Sequence, residues 1–502
     1  MNILVRNFDL CNYKWYPILY RYKLRGKRSI TMSYRIEKDS LGEINIDDKF
    51  YYGINTQRAI ENFPLENKRV NLKLIYEIAI VKKAAAIVNK NLKKISEEKA
   101  NAIIKASDEV MEGNWDDNFV ISAFQGGAGT STNMNVNEVI ANRAIEILGG
   151  NKGEYSLIHP LNQVNMSQST NDVYPTALRI AAIHLIRKLS NALSDLQQSF
   201  QVKESEFADV IKLGRTQLMD ALPMMVGQGF GAYAKAIERD RWRIYKVEER
   251  LRQINMGGTA IGTGLNTTNK FIYMITDTLQ DLTKLGLARS DYPMDITQNC
   301  DVYVEVSGLL KSCSVNLLKI SNDLRLLNSG PRGGLGEINL PQMQAGSTIM
   351  PGKVNPVIPE MVAQISMRVI ANDGAITMAS SMGQLELNAF TPLIAESLLE
   401  SLELLNKCVI IFREKCIEGI TVNEEKCKEN LEKSTALVTA LVHHMGYDEA
   451  SNIAKKALEE DRTIRDTLLT EEILAKEKIE EILNPYELTK PGIPGFKLGG
   501  KK

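Results

Sequence analysis

The segment VSGLLKSCSVNLLKISNDLRLL, residues 306–327, sets apolar side chains at Val306, Leu310, Cys313, Leu317, Ile320, Leu324 and Leu327. The steps alternate four and three, so a helix built on them keeps one seam turned towards a partner helix. This spacing predicts a long helix in a bundle. Outward from it, the same pattern runs through Leu74, Ile78, Val81, Ala85, Val88, Leu92 and Ile95, with charges assigned to the opposite face. It returns after Asn171 through Leu178, Ala182, Leu185, Leu189, Ala192 and Leu196. Further helical patterns cover about 222–255, 355–380 and 389–417, separated by glycine-rich breaks at 126–129, 257–264 and 328–352. The fold class is therefore mainly α. The expected organisation is an extension at 1–31, a smaller mixed domain at 32–168, a central helical bundle at 169–424 and a small helical domain at 425–502.

Composition narrows the function classes. Apolar residues make up 44% and charged residues 24%, close to the average for a globular chain. Lys plus Arg number 61 and Asp plus Glu 61, so no global field attracts nucleic acid or acidic lipid. Any anionic ligand must be held by local charge. Six cysteines without a C-x-x-C pair argue against a disulfide framework and for a reducing compartment, here the cytoplasm. Four histidines without metal-ligand spacing give no zinc site, and no apolar run approaches the ~18 residues of a membrane span. Residues 1–31 carry seven basic residues against one acid, Asp9. They read as a disordered extension or an upstream start, with Met32 the effective beginning, ahead of the alternative of an organelle presequence.

Four segments concentrate small polar residues and glycine. The first, residues 125–144, begins QGGAGTSTNMN and offers Thr130, Ser131, Thr132 and Asn133 as donors suited to a carboxylate. In the second, residues 159–180, Ser169, Thr170, Asn171 and Asp172 read as a capped helix N-terminus, which can also receive an anion. The third, KLGRTQLMDALPMMVGQ at 212–228, reads as a loop before a helix beginning near Pro223. Within it, Arg215 either clamps a carboxylate or pairs locally with Asp220, the second reading being slightly preferred, while Thr216 and Gln217 are candidate ligand contacts. The fourth, residues 322–361, is a glycine-rich loop carrying Ser347, Thr348, Lys353 and Asn355 ahead of a helix from about Pro356. That composition suits a lid. A phosphate-binding loop is disfavoured, because Lys353 lacks the Ser/Thr neighbour of G-x-x-x-x-G-K-[ST].

The stretch GSTIMPGKVNP at 346–356 resembles the signature loop of the aspartase/fumarase superfamily. YYGINTQRAIENF (51–63), GGAGTSTNMNVNEV, SQSTND, GRTQ, NMGGTAIGTGLN (255–266) and GQLELN (383–388) resemble that family in order and spacing, over nearly the whole chain from Met32. The stretches at 126–129, 340–346, 357–360 and 372–379 resemble the aspartase branch rather than the class II fumarases. Two departures stand out: Thr348 replaces the commoner serine, and Gln217 stands where fumarases and some aspartases have a histidine paired with the acid corresponding to Glu360.

The resemblance implies a three-domain fold whose long helices form a multi-helix core in a homotetramer, with active sites shared between subunits. It implies β-elimination of ammonia from L-aspartate to fumarate, with Ser347 as the base. Lys353 and Asn355, with Thr216 and Gln217 beside them, would hold the α-carboxylate. Thr130, Ser169, Thr170 and the Thr348 amide would surround the β-carboxylate, Asn171 would meet the amino group, and Glu360 would lie behind them. No metal or organic cofactor is required, although a divalent cation such as Mg²⁺ can act as an activator. Gln217 suits loss of an ammonium that already carries its proton better than loss of hydroxide. A class II fumarase and a catalytically silent structural relative are the alternatives.

Overall fold

The computed structural model describes residues 33–65 and 68–496. The extension expected at 1–31, and Cys11 with it, lies outside them. An antiparallel hairpin, β1 (Tyr34–Asp39) and β2 (Gly42–Asp47), opens the chain. Helices α1 (Ile54–Asn62), α2 (Leu72–Asn91), α3 (Glu97–Met111) and α4 (Thr130–Ile147) follow. The long α5 (Thr170–Glu206) then leads into a second hairpin, β3 (Ile211–Thr216) and β4 (Met219–Met225). Beyond it come α6 (Val226–Leu251), α7 (Asn269–Thr283), α8 (Pro293–Gln298), α9 (Asp301–Leu327), α10 (Val357–Ser381) and α11 (Thr391–Phe412). The C-terminal residues form short helices, among them Glu424–Glu432, Tyr447–Glu459, Ile464–Thr470 and Lys476–Ile482.

The bundle is made by α5, α6, α9, α10 and α11, with α5 along α6 and α10 between α9 and α11. At 37 residues α5 is about 55 Å long. The seam that predicted α9 is its buried face: Val306, Leu310, Cys313, Leu317, Ile320 and Leu324 are all removed from solvent. The α5 stripe from Leu178 to Leu196 is buried in the same way. A separate core of Leu441, Ile453, Ile464, Leu468, Ile479 and Ile482 holds the C-terminal helices together.

Three expectations need correction. The stripe from Leu74 to Ile95 outruns its helix, which ends at Asn91, and Lys93 then takes a φ of 58°. Its charges do not all face solvent, since Lys82 and Glu77 on α2 are buried. Residues 212–225 are not a loop followed by a helix at Pro223. They form the β3–β4 hairpin, with Pro223 opposite Leu213 in strand β4, and the helix starts at Val226. The pairing register shifts between Leu213 and Arg215, and the two-residue turn Gln217–Leu218, both at positive φ (55° and 65°), closes a tight hairpin. Neither turn residue is the glycine or asparagine that usually signals one.

Candidate active site

The N-terminus of α5 is fixed from three sides. Ser169 is the N-cap, its hydroxyl accepting from Asn171 N, while Asp172 accepts from Ser169 N at 2.9 Å. The other Asp172 oxygen accepts from Gly257 N (3.1 Å) and Thr259 N (3.0 Å), docking the 255–260 loop against the helix start. Pro175 has no N–H, so the carbonyl of Asn171 four residues earlier loses its helical donor. Asn255 Nδ2 replaces it at 3.0 Å. Burial pushes the Asp172 carboxyl up to about 6, against the opposing pull of the Ser169, Thr259 and Gly257 amides and of Lys82.

Helix α4 begins beside this end. Its N-cap, Gly129, has φ 88°, and a Cβ there would lie 2.4 Å from the Tyr174 ring, so only glycine lets the two helices approach. Thr130 is exposed at the first turn, whereas Asn133 is buried and donates to Thr170 Oγ1 at 3.1 Å. One turn further on, buried Glu138 accepts from the amides of Gly53, Asn55 and Thr56, which seats the N-terminus of α1.

The glycine-rich loop is closed on itself. Gly346 N donates to the Lys353 carbonyl at 2.9 Å, and Asn355 Nδ2 donates to the Gly346 carbonyl at 2.8 Å. Inside this ring Ser347 Oγ accepts from Ile349 N (3.2 Å) and Met350 N (2.8 Å). Thr348 and Lys353 are exposed. Lys353, Asn355 and Glu360 border a cleft of about 500 Å³ together with Arg325, Asn328 and Asn339. Glu360 lies 3.8 Å from Arg325.

Thr216 and Gln217 sit exposed at the tip of the β3–β4 hairpin. Arg215 faces Asp220 in the strand register but does not pair with it. It donates instead to Glu337 Oε1 at 2.6 Å, with Lys212 3.5 Å from the other oxygen and Asn430 Nδ2 3.1 Å from the first. A fully buried acid outcompetes an exposed one, because a desolvated charge needs its partner more.

The expected site residues thus fall into three groups. Ser169, Thr170 and Asn171 meet beside Asn133 and near the start of α4; Ser347, Thr348, Lys353, Asn355 and Glu360 share one loop and helix start; Thr216 and Gln217 cap a hairpin. Among the described residues no hydrogen bond or ion pair joins one group to another. Sequence reasoning passed over Lys82, Asn255 and Glu337. Lys82 carried a signal, since it lies four residues after Ile78 and three before Ala85, within the arc of the apolar stripe. No group of three or more His, Cys, Asp or Glu side chains among the described residues is placed to hold a metal ion.

Comparison with known proteins identifies the family and the fold. The sequence pattern of a lyase family matches residues 42–371, and that of the fumarase C C-terminus matches 437–490. Aspartate ammonia-lyase from Bacillus subtilis is 48% identical over 465 residues, 93% of this chain and 98% of that one. A crystal structure of fumarate lyase:delta crystallin from Brucella melitensis, bound to cobalt, superposes with a TM-score of 0.88 at 46% identity, covering 91% of this chain and 100% of that one. A class II fumarase from Schistosoma mansoni superposes with a TM-score of 0.87 at 35% identity over the same shares.

Proposed function

Because this chain belongs to the lyase family that includes the aspartate ammonia-lyases and class II fumarases, we propose that it catalyses the reversible β-elimination of ammonia from L-aspartate, giving fumarate. The observation that carries the chemistry is the double donation from Ile349 N and Met350 N to Ser347 Oγ. The β-proton of aspartate is very weakly acidic because it sits next to an ionised carboxylate. Serine removes it only as an alkoxide, and two amide donors aimed at the oxygen lower the cost of that anion.

Loss of the proton leaves a dianionic aci-carboxylate, which needs preorganised donors. Ser169, Thr170, Thr130 and the Thr348 amide supply them at the β-carboxylate, with the α5 N-terminus adding partial positive charge. Lys353 and Asn355, with Thr216 and Gln217, hold the α-carboxylate. Asn171 Nδ2 is committed to the Ala260 carbonyl at 2.7 Å, which leaves Oδ1 as an acceptor for the substrate ammonium. Glu360 stands behind the loop. Ammonia leaves with its own protons, so no His–Glu relay at Gln217 is needed, whereas hydroxide loss would call for one.

The site is completed by assembly into a homotetramer. No hydrogen bond or ion pair among the described residues joins the three segments that bear the chemistry, and α10 exposes Met367 and Met378 while α6 exposes Trp242 and Tyr245, apolar surface suited to other copies. The elimination asks for no electron sink beyond the substrate carboxylate, and a divalent cation such as Mg²⁺ enters only as an activator. The five described cysteines are free and buried, which fits a cytoplasmic enzyme. The test is fumarate absorbance from purified protein given L-aspartate or L-malate. Fumarate from aspartate alone is expected. Activity on malate alone would make it a fumarase, and silence on both in a folded tetramer would favour a structural relative.

A further inference from the structure

Lys82 of α2 is fully buried, yet its ammonium touches no carboxylate. Nζ donates to Asn165 Oδ1 (2.8 Å) and Gln168 Oε1 (3.0 Å), both neutral amides just ahead of the Ser169 cap. Burial pushes the Lys82 amine down to about 7, opposed by the charge of Asp172 without a direct contact, and a methionine of similar length would pack there more cheaply. The position therefore asks for a reason beyond stability.

The hydrogen-bond network supplies one. Asn165 Oδ1 also accepts from Asn133 Nδ2 and Asn137 Nδ2, each at 3.2 Å. Asn133 Nδ2 spends its second proton on Thr170 Oγ1 at 3.1 Å. By donating to both, Lys82 holds the oxygens of Asn165 and Gln168 towards itself. Asn165, held as an acceptor, in turn fixes Asn133 as a donor, and Thr170 is left with its own O–H free: that proton has no acceptor among the described residues. The same amine anchors the 165–168 turn, where Asn165 Nδ2 holds the Gln168 carbonyl at 3.3 Å.

Building on the elimination reading, we propose that Lys82 is a positioning residue: acting through Asn165 and Asn133, it keeps the Thr170 hydroxyl pointed as a donor at the substrate β-carboxylate. The donor matters most when the second negative charge arrives there, so the effect falls on the chemical step rather than on substrate binding.

The experiment compares wild type, Lys82→Met and Asn133→Asp, the last replacing the donor to Thr170 with an acceptor of the same shape. Two probes are used: succinate, which carries the ground-state charge, and the aspartate analogue with a nitro group for the β-carboxylate, whose nitronate carries the charge of the aci-carboxylate. Both variants are expected to lose ~10- to 100-fold in kcat, less than the 10²–10³ of a donor touching the oxyanion. Nitronate affinity should fall by a similar factor, while KM and succinate affinity move less than about three-fold. A merely structural role would lower the active fraction without this split. Wild-type kcat and nitronate affinity in either folded variant overturn the proposal, and Asn133→Asp decides if Lys82→Met fails to fold. A wild type that makes no fumarate from aspartate would instead sink the elimination reading.

Discussion

The backbone N–H of Met350 donates to Ser347 Oγ at 2.8 Å from three residues further along the same loop. Together with Ile349 N it treats the serine oxygen as an acceptor, which is the polarity an alkoxide base requires. Ser347→Ala removes the oxygen and leaves two loop amides that water can reach, so the fold should not change. Loss of the base is expected to cut kcat by about 10²–10⁴-fold or more. Fumarate absorbance checks the rate, and an unchanged thermal midpoint checks that the loss is chemical.

Glu337 ties three segments together: Arg215 and Lys212 from the β3–β4 hairpin, and Asn430 from the C-terminal helices. Burial alone would raise its carboxyl, but donation from Arg215 and the charge of Lys212 outweigh burial and hold it below the usual carboxylate range. A depressed acid contributes stability that is present above its unfolded pKa and lost as the pH falls through the folded one. Glu337→Gln should therefore destabilise by about 3–5 kcal/mol at neutral pH, because buried Lys212 and half-buried Arg215 lose their counter-ion. Urea unfolding gives the magnitude. The gap between variant and wild type should narrow only in acid, below the ordinary carboxylate pKa of about 4.3.

The helices were legible because apolar seams repeat, and the helix start at Ser169 was legible because capping is a local code. The hairpin was not. Its turn places Gln217 and Leu218 at positive φ, a conformation set by the strands around it rather than by the residues' own preference. Arg215 misled for a related reason: sequence proximity favoured Asp220, but its partner Glu337 lies 122 positions away and is fully buried. Lys82 was hidden by a rule that is right for most lysines, that charge faces water. Motif resemblance found the residues expected to touch substrate, while the polar groups holding them in place carry no motif at all.

Burial pushes the Glu77 carboxyl up to about 8. His184 Nε2 lies 3.8 Å away, but burial, then Arg187 and Lys188, push that imidazole down, so the contact is between neutral groups near pH 7. A raised acid binds its proton more tightly in the folded state than in the unfolded one. Stability therefore falls as the pH rises from the unfolded value near 4.3 towards the folded one. Glu77→Gln should abolish most of that fall. It is expected to be more stable than wild type by about 2–4 kcal/mol at a pH above roughly 8, and near equal at a pH of about 4. Urea midpoints at the two ends decide it, and parallel curves for variant and wild type would show that Glu77 is ionised in the fold.

Thr170 and Ser347 belong to groups with no hydrogen bond between them among the described residues, so the proposed shared site would make activity a property of the assembly. In the proposed roles, Ser347→Ala lacks the base, and Thr170→Val lacks a donor to the developing dianion, worth about 10²–10³ in rate. Each alone should be nearly silent. When the two variants are unfolded and refolded together, some sites receive Ser347 from one copy and Thr170 from another, and both groups are intact there. Activity well above the sum of the separate variants is therefore expected, rising and then falling with the mixing ratio. If the mixture stays as silent as its components while size-exclusion chromatography shows mixed oligomers, both residues act within one subunit and the shared-site assembly is wrong.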